Sequence, residues 1–224
     1  YIVSDDGYYK FKATVRGNGV GQLVSPGTTS TIVLTEQLQT VDIKSQLVKV
    51  EPLWWQTYAT VAPTQDELNA GNHLLMLNEG KPDADGYVSF RVDKFFEGNL
   101  ILAGRDAKNE IIWSWHIWFT DDPKMMKSNS FVVMDRNLGA THAPVNPTEP
   151  TGAALSETYG FYYQWGRKDP FAAPGTSVYE YDDNEYVPNA SAFIGEAAED
   201  KRTVIHSVQN PMHFHLAAND DTGV

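Results

Sequence analysis

The sequence predicts a mainly β protein, an antiparallel β-sandwich followed by a smaller α+β segment. Two observations lead to this fold class. Between residues 1 and 122, short stretches alternate between apolar and polar residues and are separated by turn sequences, as half-buried strands are. From residue 123 onward, proline-rich loops and a helical pattern replace this alternation. We therefore divide the chain into a sandwich domain, residues 1–122, and a partial α+β domain, residues 123–224.

The clearest strand of the first domain is Glu110–Thr120, in which Trp113 and Trp115 share one apolar face. It is predicted to form a hairpin with Leu100–Arg105 through a four-residue loop. Tyr8–Arg16 alternates just as strictly. Further strands are predicted at Thr31–Thr35, Gln46–Glu51, Leu53–Tyr58, His73–Leu77 and Tyr87–Val92.

The second domain has a different pattern. Phe131–Met134 is predicted as a short strand and Ala153–Trp165 as a helix. A second helix is predicted at Val204–Gln209, capped by Thr203. Tyr179–Asp200 carries seven acidic residues and no basic residue, which predicts an exposed loop.

Composition excludes several function classes. The 224 residues contain no cysteine, which rules out disulfide scaffolds, thiolate metal sites and cysteine nucleophiles. With 17 basic and 29 acidic residues, the net charge of −12 argues against nucleic acid and anionic membranes as partners. No apolar run reaches the length of roughly 18 residues that a membrane span needs. The chain opens at Tyr1 without an initiator methionine, and we expect it to be cut from a longer protein.

Three parts of the sequence carry a family resemblance. They are Tyr1–Ser4 with Tyr8–Phe11, then Ile112–Trp118, then Val133–Ala140 together with Thr158–Phe171. In this order they resemble the C-terminal region of fimbrillin-like surface lipoproteins of gut Bacteroidetes. In those proteins an immunoglobulin-like sandwich precedes a domain of the FISUMP type (the major paralogous domain).

The resemblance implies an Ig-like sandwich followed by a partial domain related to C-type-lectin-like folds, apparently truncated, because the family's closing Cys-Pro-containing half is absent. It implies secretion to an outer-membrane-anchored, extracellular position and an adhesive, ligand-binding or pilus- or surface-assembly role. The implied partners are a protein or glycan at the cell surface, or pilus subunits, and no catalytic residue is implied. The alternative is a carbohydrate-binding ancillary region of a surface polysaccharide-utilisation protein.

Tryptophans are the candidate ligand-binding residues. Trp54 and Trp55 are adjacent, so on a strand one of them must point away from the core, where it can stack on a sugar ring. Trp118 lies on the face of its strand opposite Trp113 and Trp115 and is expected to be partly exposed. Trp113 and Trp115 themselves are interpreted as core residues.

No catalytic motif, cofactor or metal site is predicted. His213 and His215 share one strand face and can chelate a metal, but a zinc site needs more protein ligands. Asp182, Asp183 and Glu185 form an oxygen-rich cluster for which calcium and a solvated surface both remain open.

Four further polar residues have structural interpretations. Asp83 starts a turn whose following residues do not complete a calcium loop. His116 is interpreted as a hydrogen-bonded strand histidine, and Asp135–Arg136 as a structural ion pair.

Overall fold

A computed structural model of the chain describes residues 1–17, 41–58, 64, 66, 68, 74–144, 153–164, 167–173, 176–183, 185–189, 191–201 and 203–216. In this part the protein is mainly β, as the sequence predicts. The strands are β1 Ile2–Val3, β2 Gly7–Lys12, β3 Val15–Arg16, β4 Val41–Asp42, β5 Lys49–Tyr58, β6 Leu75–Met76, β7 Tyr87–Val92, β8 Gly98–Arg105, β9 Ile111–Phe119, β10 Met125–Ser128, β11 Phe131–Met134, β12 Thr176–Asp182, β13 Glu185–Pro188, β14 Ile194–Glu196 and β15 His213–His215. Two short α-helices are α1 Ala153–Ser156 and α2 Val204–Gln209. The predicted strand Thr31–Thr35 lies outside the described residues.

The central sheet has six strands in the order β1-β9-β8-β5-β12-β13. Its β8–β9 hairpin is confirmed. The Asp106 carboxylate accepts hydrogen bonds from the backbone amides of Lys108 and Glu110, both at 2.9 Å. Asn109 takes a left-handed φ of 66°, which asparagine tolerates better than most residues. Local turn chemistry therefore fixes this loop.

One face of the central sheet packs against a three-stranded sheet of order β2-β7-β6. Trp55, Trp113 and Trp115 lie in this core together with Phe11 and Phe90. The ring centroids of Phe11 and Trp115 are 5.3 Å apart. Trp113 and Trp115 are only 5% and 7% exposed, which confirms their role as core residues. The two facing sheets form a sandwich-like arrangement.

The other face of the central sheet is also covered. Trp54 and Ile101 pack there against Phe161, Ala192 and Met212 from the second half of the chain. The rings of Trp54 and Phe161 meet edge to face, with centroids 6.0 Å apart. The sheet thus has an apolar core on both faces.

The central sheet crosses the predicted domain boundary after residue 122. β12 pairs antiparallel with β5, from Thr176 opposite Tyr58 to Glu180 opposite Trp54, and β13 extends the sheet. β12 thereby occupies the side of β5 that faces away from β8, where backbone groups need partners. For the same reason the prediction that Tyr179–Asp200 is an exposed loop is wrong.

The shorter of the two predicted helices is confirmed. α2 begins after Thr203, whose hydroxyl oxygen accepts a hydrogen bond from the His206 amide at 3.1 Å. In the described residues, no helix has the length and apolar character needed to cross a membrane.

The longer predicted helix, Ala153–Trp165, is wrong in extent, because α1 ends at Ser156. Gly160 adopts a left-handed φ of 72°, and the Phe161 amide donates to the Leu138 carbonyl at 2.9 Å. The chain therefore leaves the helix and buries Phe161 in the second core.

Candidate functional site

The adjacent tryptophans that the sequence offers as a sugar platform are buried. Trp54 and Trp55 are both 0% exposed, each in a different core of the central sheet. The prediction that one of them is exposed is wrong, because the face that should meet solvent is covered by the second half of the chain. Phe193, for example, lies edge to face with Trp54 at 5.4 Å between ring centroids.

Trp118 is buried as well, at 2% exposure. Its indole Nε1 donates to the Ala140 carbonyl at 3.2 Å, because the segment after β11 lies over it. The expectation that Trp118 is partly exposed is wrong. None of the three indoles presents a face to a ligand in this structure.

A cleft of about 570 Å³ lies along β9 instead. β1 pairs only with Trp118 and Phe119, so among the described residues no strand lies beside Trp113–His116 on that side. Arg16, Lys168 and Tyr1 line the cleft together with this stretch of β9. We call it the β9 cleft.

Two positively charged side chains and the backbone nitrogen of Tyr1 bind the carbonyl oxygens of β9 that face the cleft. These carbonyls belong to alternate residues, so they point to the same side of the strand. The pairs are Arg16 Nη1 with Ile112 at 3.2 Å, Lys168 Nζ with Ser114 at 3.1 Å, and the Tyr1 amino group with His116 at 2.8 Å. Cations along a strand edge oppose the pairing of a further strand, so they favour an open cleft.

Two of these cations also contact the Trp113 ring. The Lys168 ammonium is 4.6 Å and the Arg16 guanidinium carbon 5.8 Å from the ring centroid, within cation–π range. Arg16 Nε is buried and has no hydrogen-bond partner among the described residues. An unmet donor on a charged group is costly, and this N–H is shielded from solvent in the present structure.

Lys168 is held in place by Asp169. Its Nζ donates to Asp169 Oδ1 at 2.6 Å and to the Ser114 hydroxyl oxygen. The Ser114 hydroxyl donates to the same Asp169 oxygen at 2.5 Å. As an ammonium, Lys168 has three donors and no acceptor, so it cannot take a proton from Ser114. The cluster fixes a cation at the cleft wall.

The charge of the β9 cleft is opposite to that of the chain. Its described lining residues include Lys12, Arg16 and Lys168 and no carboxylate, although the chain carries a net charge of −12. A second cleft, of about 530 Å³ beside β5, is lined by two lysines and two glutamates and is therefore balanced. Of these two clefts, the β9 cleft is the basic one.

His116 lies in the cleft wall as a neutral imidazole. Its Nε2 is 2.8 Å from Asn99 Oδ1, and the Asn99 amide nitrogen donates to two other acceptors. The Asn99 oxygen is therefore an acceptor, and His116 Nε2 carries the proton. Burial, assisted by the positive charges of the Tyr1 amino group and Lys168, lowers the pKa of His116 well below its usual value. The predicted hydrogen-bonded strand histidine is confirmed.

We expect stability to fall as the pH drops below about 6.5. A histidine pKa that is lowered in the fold means that the unfolded chain binds the proton first. Its contribution is therefore complete above the unfolded pKa and is lost as pH falls toward the folded one. Urea unfolding at several pH values across this window measures the slope.

His116→Gln, which can still donate to Asn99, should flatten this slope. Burial also lowers the pKa of His213, so the difference in slope between the wild type and His116→Gln isolates His116. Identical slopes in the wild type and His116→Gln would contradict this account.

The predicted acidic cluster lies at the β12–β13 turn. Asp182 is opposite Glu185 in the strand register, and both, like Asp183, are exposed. Within the described residues these carboxylates do not converge with a third ligand. Asp83 forms the predicted turn, in which its Oδ1 accepts a hydrogen bond from the Tyr87 amide at 2.8 Å.

His213 meets different partners from those predicted. Its ligand atoms lie within 4.8 Å of those of His206 and Glu196, the only such group in the described part of the chain. His215, the predicted partner on the same strand, is outside this group, and its amide donates to Gln164 Oε1 at 2.8 Å. The pairing of His213 with His215 is thus corrected to one with His206.

Comparisons with known proteins find no relative: no family model, no curated protein and no solved structure matches the chain. The fimbrillin-like resemblance therefore depends on the sequence blocks alone and stays a prediction.

Sequence reasoning missed the residues that form both clusters. The sequence predicts no functional role for Arg16 or Lys168, although Lys168 lies within a block of the family resemblance. His206 and Glu196 carry no motif spacing with His213, because a helix and two strands bring them together. Both the basic side chains of the β9 cleft and the histidine group are recognised only from the three-dimensional arrangement of the strands and helices.

Proposed function

We propose that this chain is a non-enzymatic, extracellular binding module of a cell-surface protein, and that it binds an acidic glycan in the β9 cleft. The observation that carries the proposal is the collection of three basic side chains around one cleft of a strongly acidic chain, with no carboxylate among the described lining residues and only Lys168 paired with a buried one, Asp169. Opposite charge in a cleft concentrates an anionic ligand and orients it on approach.

The size and lining of the β9 cleft support a small saccharide unit. Its volume of about 570 Å³ falls within the range of ligand pockets. The donors are held before any ligand arrives, because Lys168 is fixed by Asp169 and Arg16 by the Ile112 carbonyl. Preorganised donors lose little entropy on binding. A sugar carboxylate offers two acceptor oxygens to the partly exposed Arg16 guanidinium and the other basic groups of the cleft.

The polar residues of the cleft support binding rather than catalysis. A serine nucleophile has to be reached by its substrate. Here the Ser114 hydroxyl donates to Asp169 and accepts from Lys168 inside the wall of the cleft. Ser114 and Asp169 are both 3% exposed, so a substrate cannot reach them directly.

The surface location follows from the resemblance to fimbrillin-like lipoproteins and from the acidic, cysteine-free composition. In this proposal the sandwich is of the immunoglobulin-like type, the second half belongs to a lectin-like domain, and an outer-membrane anchor is supplied by sequence outside this chain. Adhesion and pilus or surface assembly are the roles that such a position serves.

We expect binding to acidic but not to neutral oligosaccharides on a glycan array, weakening as salt is added. Isothermal titration then compares the best acidic oligosaccharide with its carboxyl-reduced form. Arg16→Gln should weaken the acidic ligand about tenfold, the loss of one charge-assisted hydrogen bond.

Lys108→Gln is the matched control, because it removes the same charge from the exposed β8–β9 loop outside the cleft. It should leave affinity unchanged. Equal affinity for the acidic and carboxyl-reduced ligands, or an equal loss in both variants, would disprove the proposed site.

A further inference from the structure

The group of Glu196, His206 and His213 lies outside the β9 cleft and has the composition of a metal centre. Glu196 ends β14, His213 begins the parallel neighbour β15, and His206 lies in α2 between them. Their ligand atoms are all within 4.8 Å of one another. The two imidazole rings are nearly perpendicular, at 74°, with centroids 5.9 Å apart. We propose that these three residues bind a divalent transition-metal ion, with Zn²⁺ as the best match.

Two ring nitrogens of the group lack partners. His206 Nε2 and His213 Nδ1 are shielded from solvent and have no hydrogen-bond partner among the described residues. Buried polar atoms in folded proteins are nearly always paired, and an orphan calls for a water or an ion. Here two orphans belong to the same three-residue group, and both are atoms that bind metals in their unprotonated form.

The remaining ring nitrogen of His206 has the outer contact that metal ligands use. His206 Nδ1 is 3.0 Å from the side-chain amide of Asn210. The same amide nitrogen donates to the His206 carbonyl at 3.0 Å. Binding through Nε2 places the ring proton on Nδ1, so the Asn210 side chain has to give up that bond and turn its oxygen toward Nδ1. Such contacts orient metal-binding imidazoles and fix their tautomer.

Glu196 supplies the negative charge. Its Oε1 accepts a hydrogen bond from the Ala198 amide at 3.0 Å, and its Oε2 lies 3.2 Å from the Lys201 ammonium. Both contacts stabilise a negatively charged carboxylate at this position. Lys201 is half-exposed and competes with a metal for this oxygen, since its side chain can swing into solvent.

Two histidines and one glutamate match zinc better than magnesium or calcium, which prefer oxygen ligands. Metal–ligand bonds of about 2.1 Å in a tetrahedral site place the ligand atoms about 3.4 Å apart. The ligand atoms of this group now lie within 4.8 Å of one another, so side-chain shifts of about 1 Å would bring them to the distances that an ion needs. Three protein ligands leave the fourth position for water or for an atom of a ligand. The ion would also link β14, α2 and β15.

The test is titration of the metal-free full chain with Zn²⁺ alone. We expect one ion per chain, and a rise in Tm of about 5–10 °C when free Zn²⁺ is at 100 times the Kd. His206→Gln, His213→Gln and Glu196→Gln should each weaken binding about 100-fold or more, since even outer contacts are worth 10–100-fold. Co²⁺ should give the visible absorption of a tetrahedral nitrogen and oxygen site, lost in the same variants.

His215→Gln is the matched control, a histidine on the same strand outside the group, and it should bind Zn²⁺ like the wild type. Lys201→Ala leaves every ligand in place and should tighten binding a few-fold, about the value of an exposed ion pair. Because tighter binding requires a folded site, this variant also tests the proposal without depending on a loss of binding, which unfolding alone could cause. No binding at micromolar Zn²⁺, or equal losses in His215→Gln and His213→Gln, would overturn the proposal.

Discussion

Trp54→Ala is expected to lower the free energy of unfolding by about 3–5 kcal/mol, the usual cost of deleting a large buried ring. Trp54 is 0% exposed and packs edge to face with Phe161 and Phe193, both from the second half of the chain. Removal therefore opens a cavity in the core that covers the outer face of the central sheet. Urea unfolding followed by far-UV circular dichroism measures the loss.

Trp54→Phe separates ring packing from the indole nitrogen. Trp54 Nε1 is buried without a partner among the described residues, so phenylalanine keeps most ring contacts and removes an unsatisfied donor. We expect a loss well below that of Trp54→Ala. Phe131→Ala, at a 73% exposed ring, should stay within about 0.5 kcal/mol of the wild type.

The same pair of variants distinguishes a core residue from a sugar platform. A platform indole would leave stability nearly unchanged on conversion to alanine and would abolish glycan binding. If Trp54→Ala unfolds at the same urea concentration as the wild type, the second core described here is wrong.

Features governed by local chemistry could be predicted from the sequence. The β8–β9 hairpin follows from strict alternation together with Asp106 and Asn109 in the loop. α2 follows from the Thr203 cap. In each case residues only a few positions apart supply the decisive contacts.

Features governed by contacts between distant parts of the chain could not be predicted from the sequence. β12 carries acidic residues and no clear alternation, and it is a strand because β5 offers unpaired backbone groups beside it. The prediction that Trp54 is exposed was wrong, because the residues that bury it lie more than a hundred positions later in the sequence. The helix predicted at Ala153–Trp165 ends early, because the Phe161 amide forms a hydrogen bond with the distant Leu138 carbonyl.

The candidate sites also depend on contacts between distant parts of the chain. Arg16 and Lys168 meet at Trp113 only because β3 and the segment after α1 both reach the edge of β9. A one-dimensional pattern identified one of the three members of the histidine group, His213, and gave it the wrong partner.

Arg136→Met is expected to cost about 3–5 kcal/mol of unfolding free energy, since it leaves buried partners of a charged group unpaired. The Arg136 side chain is 4% exposed. Its Nε donates to Asp135 Oδ1 at 2.9 Å, and its Nη1 donates to the Thr120 hydroxyl at 2.9 Å and the Thr141 carbonyl at 2.6 Å. These contacts confirm the predicted structural ion pair and tie the end of β9 to the segment after β11.

Two variants test whether the guanidinium fork, and not charge alone, supplies this stability. Arg136→Lys keeps the charge but cannot reach all three acceptors, so it should lose an intermediate amount. Asp121→Asn removes an ion-pair partner that is 65% exposed and should cost about 1 kcal/mol or less. Equal stability of Arg136→Met and Asp121→Asn would show that the buried contacts contribute nothing.

The acid limb of the stability curve gives an independent check on Asp135. The hydrogen bond from Arg136 lowers the pKa of Asp135, so this carboxylate stabilises the fold above its unfolded pKa of about 3.9. That contribution is lost as pH falls through the lower, folded pKa. The hydrogen bond from Arg136 lowers the pKa of Asp121 in the same way. In Arg136→Met both contributions are absent at every pH, so the difference from the wild type should be full at pH 6 and should shrink as pH falls below about 4. A difference that stays constant down to pH 2 would mean that Arg136 stabilises the fold through the Thr120 and Thr141 oxygens and not through these two carboxylates.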